Sequence, residues 1–188
     1  MLNIPEKNSF YKNVFTLLKG NSIAQAIPLL ISPILARIYS PESFAYFGVY
    51  MSILAILTVF VTGKYELAIM LPKKDRDALN VFALSVMITI IISMVTLLIV
   101  INPFFNLVDF LSLNIEKYLI FYFPISILLI GVFNSFYHLN NRKKQFNELA
   151  QTKVYRSSST AILNILFGTM GFSIFGLIIS NIISQLIA

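Results

Sequence analysis

The sequence predicts an all-α integral membrane fold, a polytopic bundle of about six transmembrane helices. Three observations carry that expectation. Hydrophobic residues make up 57% of the 188-residue chain, charged residues 12%, and the mean hydropathy is +0.82, outside the range of a soluble domain. Uncharged runs long enough to cross a bilayer recur along the chain, each crossing needing roughly 20 apolar residues. The third observation is that the basic residues alternate between the loops in the manner of a multi-pass protein.

Taken in order, residues 14–38 form the first span, although Lys19, Gln25, Pro28, Pro33 and Arg37 interrupt its apolar character. The tight polar turn "YSPES" follows, where Pro41 cannot continue the preceding helix. Residues 44–71 return across the bilayer. Val81 to Ile101 is an uncharged run of 21 residues, and Tyr118 to Leu139 one of 22, which give the third and fourth spans at 81–101 and 118–139. From Ser157 to Ala188 the chain runs 32 residues without a charge, too long for one helix, and it is split near Gly171 into spans at 154–170 and 174–188. Because the last run reaches the final residue without a flanking charge, the sequence reads as part of a larger bundle, the alternative being a native six-helix protein.

With a cytoplasmic N-terminus, Lys7, Lys12, Lys73, Lys74, Arg76, Arg142, Lys143, Lys144, Lys153 and Arg156 fall inside, and Arg37 and Lys117 outside. That partition accounts for the net charge of +6 without nucleic-acid binding, for which no extramembrane domain exists. The first helix resembles a signal sequence but has no A-x-A cleavage pattern, so it reads as uncleaved. The loops are short, and residues 140–156 suit an amphipathic helix lying on the membrane surface.

These loops exclude a catalytic domain. Asp75 and Asp77 form a D-x-D pair of the kind that holds a metal and a nucleotide sugar, but in so short a turn they read as solvated acids at a helix N-terminus. His138 has no second ligand at metal-binding spacing, and cysteine is absent. The sequence therefore implies no enzyme, no catalytic residue, no cofactor and no metal.

Polarity within the spans is more informative. Folding the first two spans about residue 41 brings Lys19 level with Lys64 and Glu66, so that Lys19 could reach Glu66 across a hairpin. Charges in a bilayer cost about 2.5–3.5 kcal/mol each at its centre, so such groups usually face a wet interior, although lysines near an interface can also snorkel. Pro28 and Pro33 should bend the first helix, and the carbonyls they free must face protein or water. Lys19, Gln25, Lys64 and Glu66 are thus candidate cavity residues, with Pro28 and Pro33 as kinks serving either motion or packing.

The stretches "IPLLISPILARIYSPESFAYFGVY", "TGKYELAIMLPKKDRDALN", "NRKKQFNELA" and "NILFGTMGFSIFGLIISNIISQL" together resemble the N-terminal half of Wzx-type O-antigen flippases of the MATE-like exporter superfamily. The resemblance implies two six-helix halves enclosing a central cavity with alternating access. It also implies an undecaprenyl-diphosphate-linked oligosaccharide as substrate, membrane lipids, polysaccharide polymerase machinery or a second half as partners, and the bacterial inner membrane as location. Cationic cavity residues would offset desolvation of the diphosphate, and Lys64 stands where relatives often carry arginine. Two rivals remain: a drug or cation antiporter of the same superfamily, which would call for cavity acids, and a fragment that transports nothing.

Overall fold

The computed structural model describes residues 7–102 and 117–187. Among these residues seven α-helices follow one another: α1 (Lys7–Ile38), α2 (Pro41–Val61), the short α3 (Tyr65–Ala68), α4 (Asp75–Ile101), α5 (Tyr122–Arg142), α6 (Phe146–Thr169) and α7 (Ser173–Ile187), with a 3-10 turn at Lys117–Phe121 before α5. No strand occurs among the described residues, and the architecture is an all-α helix bundle. Among the described residues, four segments are long and apolar enough to cross a membrane: Asn13–Ile38, Pro41–Val61, Asp75–Ile101 and Leu119–Arg142. α6 is long but polar in its first half, and α7 is a shorter apolar helix. The expected loop at residues 102–117, apart from its two ends, lies outside the described residues, as do the side chains of Lys7, Lys12 and Lys117.

Local chemistry sets the helix ends. Ser40 caps α2, its hydroxyl accepting from Ser43 N–H at 3.2 Å, and Pro41 occupies the first turn, where its missing N–H has no helical role. α2 stops at Val61, ten residues short of the expected end at 71. Gly63 (φ +55°) and Lys64 (φ +62°) both adopt left-handed backbone, which a continuing helix cannot accommodate. The expected second span is therefore shorter, and Lys64 and Glu66 belong to the break beyond it. The expected surface helix and fifth span are a single helix, because no proline or glycine interrupts residues 146–167. After Thr169 the chain turns over through Gly171 (φ +82°) into α7.

The packing is consistent with alternating helix directions. α1 runs parallel to α6, with Gly20 against Ala150 at one end and Gly168 against Ile38 and Tyr39 at the other. α4 runs antiparallel to α5, where Ser85 and Ser135 share a hydrogen bond of 2.8 Å and Ser93 donates to Pro124 O at 2.8 Å. α2 and α7 both pack on α5, forming a core of Tyr50, Leu54, Phe123, Ile127, Ile174 and Ile178. The turns at 62–74 and 143–145 and the N-terminus of α1 share one end of the bundle. The turns at 39–40 and 170–172 share the other, joined by a 2.7 Å hydrogen bond between Ser43 and Ser173. α5 is central, with 39% of its apolar window buried, whereas α1 is peripheral at 6%.

Candidate functional site

α1 and α2 diverge from their shared turn instead of forming a packed hairpin. α1 follows α6, and α2 follows α5 and α7. Lys19 therefore does not reach Glu66, and the pairing expected from level positions in a hairpin is not made. Lys19 is exposed and lines a depression of about 450 Å3 on the α1–α6 seam with Asn147, Gln151 and Tyr155.

The other side of that seam carries the cations that the sequence reading assigned to a surface loop. Lys153 Nζ donates to Asn21 Oδ1 on α1 at 2.8 Å and sits 5.0 Å from the Tyr137 ring centroid on α5. Three residues on, the Arg156 guanidinium lies 5.0 Å from the centroid of Phe133. Since Phe133 precedes Arg142 by nine residues, Arg156 lies roughly 13 Å inside that end of the bundle at 1.5 Å per residue. The two cations thus lie over α6 in the groove left between α1 and α5, which both pack on α6 and make no extensive contact with each other. Each cation–π contact contributes about 0.5–2 kcal/mol, which offsets part of the cost of holding charge at that depth. Gln25, exposed one turn beyond Asn21, shares its helix face and remains on the groove side.

The two prolines leave no carbonyl stranded. Pro28 removes the N–H that would bond Ala24 O, and Ser157 of α6 donates to that oxygen at 2.6 Å. Pro33 likewise frees Leu29 O, which accepts from Ser32 Oγ at 2.9 Å. α1 stays helical through both positions. Pro28 therefore builds a contact between α1 and α6, a packing role for this proline.

Behind the aromatic wall of the groove, a cavity of about 360 Å3 opens between α5, α6 and α7, lined in part by Phe133, Tyr137, Asn140, Thr152 and Gln185. Gln185 donates to Asn181 Oδ1 at 2.7 Å, while its buried Oε1 has no partner. The volume suits a small ligand or one ring of a larger one, so a multi-ring molecule would have to occupy the open groove.

Lys64 is exposed at the α2–α3 break, and Glu66 is buried there within electrostatic reach of His138 on α5. Arg142 ties the following turn down, donating to Ile69 O at 3.2 Å, Pro72 O at 2.7 Å and Asp75 Oδ1 at 3.0 Å. Asp75 thus serves in an ion pair at the start of α4. No group of three or more His, Cys, Asp or Glu among the described residues could hold a metal ion.

The signal that would have found Lys153 and Arg156 is their spacing of three, followed by Ser157, in a stretch without helix breakers. Their charge lowered the local hydropathy and moved the expected span start to 154. Compared with known proteins, residues 10–188 match the family model described as polysaccharide biosynthesis protein. Neither a curated protein nor a solved structure matches the chain.

Proposed function

The chain belongs to the polysaccharide biosynthesis protein family, and on that footing we propose that it flips an undecaprenyl-diphosphate-linked oligosaccharide across the bacterial inner membrane by alternating access, for O-antigen or a similar surface polysaccharide. The observation that carries this reading is the pair Lys153 and Arg156, held inside an apolar bundle and facing a groove. A diphosphate must lose water to cross the low-dielectric layer, and fixed cations with a hydrated path offset part of that loss. Arg156 presents a planar fork suited to phosphate oxygens, a geometry that lysine lacks. The lipid tail stays among the acyl chains while the sugars follow the groove, where Gln25 and Asn21 offer amide hydrogen bonds.

In this reading the end that bears Lys73, Arg142 and Lys143 faces the cytoplasm, in keeping with the charge bias of such loops. The exposed face of α1 meets the second wall of the pathway, supplied by another half or another copy, as in transporters built from repeats. The antiporter rival is disfavoured because the groove presents cations, and Glu66 lies at the α2–α3 break instead.

The test is complementation of cells that lack their own flippase by the full reading frame. Wild type should restore surface polysaccharide, and Lys153→Ala combined with Arg156→Ala should abolish restoration at unchanged membrane levels. Undiminished restoration by the double variant would overturn the assignment.

A further inference from the structure

Outside the groove, the α2–α3 break holds two side-chain oxygens that the protein itself does not satisfy. Thr62 is 1% exposed and Glu66 4%, and neither Thr62 Oγ1 nor Glu66 Oε2 has a hydrogen-bond partner. Leaving such groups unpaired away from water is costly, most of all for a carboxylate.

The main chain adds more acceptor capacity at the same place. Gly63 N–H donates to Phe60 O and Tyr65 N–H to Thr62 O, both at 3.0 Å. The carbonyls of Val59 and Val61 thereby lose the donors four residues ahead that an uninterrupted helix would supply. They form the negative end of the α2 dipole, which favours a cation.

Two protein cations stand near the break, Arg142 and Lys64, and the first is fully engaged. From α5, Arg142 gives its donors to Ile69 O, Pro72 O and Asp75. From α4, Asp75 is the acid already paired with Arg142. Lys64, on the same turn as Glu66, has an exposed side chain. His138 on α5 lies within electrostatic reach of both Glu66 and Lys64.

The geometry points to a binding site for a small monovalent cation, with Na+ the fitting choice, formed by Thr62 Oγ1, the Glu66 carboxylate and the Val61 carbonyl. Hydroxyl, carboxylate and carbonyl oxygens are donors for hard cations, and a single carboxylate balances a single charge. A divalent ion would call for further acids, and no group of three or more His, Cys, Asp or Glu gathers there among the described residues. Carbonyls at the broken end of a membrane helix are a recurring way to coordinate such ions. The bound ion would clamp the end of α2 to α3, which packs on α4 and α5, and so fix the angle at which α2 leaves the bundle. This inference does not depend on the identity of the transported substrate.

Thermal unfolding of the purified full chain in detergent tests it, with sodium, potassium or choline chloride compared at equal ionic strength. Ligand binding to the folded state raises the melting temperature, so sodium should shift it upward by a few degrees relative to choline. Thr62→Val and Glu66→Gln should each abolish the shift, while Thr62→Ser and His138→Ala retain it. If Glu66→Gln does not fold, Thr62→Val decides. Equal melting in all three salts, a sodium shift that survives Thr62→Val, or a shift that disappears with His138→Ala would each overturn the site.

Discussion

The α4–α5 seam and the α1–α6 seam are built from the same parts and differ in where they leave charge. Both bring a glycine against a small or branched neighbour, Gly131 beside Thr89 in the first and Gly20 beside Ala150 in the second. Both use serine hydroxyls to reach the facing helix, Ser93 to Pro124 O and Ser157 to Ala24 O. The α4–α5 seam is uncharged along Ser85, Thr89 and Ser93, all buried, and it holds the bundle together. The α1–α6 seam carries Lys153 and Arg156 along one flank and leaves most of α1 uncovered. Close backbone approach supplies association in lipid, where burial of apolar surface offers little. A seam with an open flank can therefore carry charge without losing its grip.

The largest effect that would sharpen this contrast is overpacking. Gly131→Leu should prevent recovery of folded protein, since its side chain would enter Thr89 and Val61 between three helices, whereas Gly20→Leu should loosen α1 and leave the α4–α5 pair intact. Overpacking costs about 1–3 kcal/mol, sometimes more, and unfolding in mixed detergent would read it. Next comes transport. Arg156→Ala should lower it at least tenfold with Arg156→Lys intermediate, whereas Ser85→Ala should leave it near wild type; the reverse ranking would break the comparison. A smaller effect links Pro28 to Ser157. Ser157→Ala should cost about 0.6–1.7 kcal/mol, and little in a Pro28→Ala background where Ala24 O regains its backbone donor. Equal costs in both backgrounds would mean that the proline and the serine are unrelated. The smallest effect concerns the break: Lys64→Gly should stabilise the protein by about 1 kcal/mol through relief of left-handed backbone strain. Unchanged transport in that variant would confine Lys64 to the turn.

Much of this fold was legible in the sequence because lipid imposes a strong rule. Backbone groups must be satisfied within each segment, so long apolar runs have to be helices. The end of α2 was harder to read, since "VTGKYELAIML" keeps its apolar character past the break. Thr62–Gly63 is a helix stop of ordinary chemistry, but hydropathy outweighed it. The hairpin of α1 with α2 failed for a different reason: chain neighbours need not be packing neighbours, and Gly20, Ser157 and Pro28 direct α1 onto α6. Of the candidate site residues, Gln25 lies on the groove side, Lys19 on the far side of the seam, and Lys64 and Glu66 at a separate break. Lys153 and Arg156 were hidden because charge placed within a long helix looks like loop until its partners, Tyr137, Phe133 and Asn21, are known.

The central claim is that the space between α1 and α5 is wet and cationic. Cysteine is absent from the chain, so single cysteines can be introduced and probed with a charged, membrane-impermeant thiol reagent in intact membranes. The account predicts rapid labelling at positions 21 and 25, and protection at positions 87 and 94 on the outer face of α4. Labelling at 87 and 94 equal to that at 21 and 25, or none at the latter pair, would contradict it.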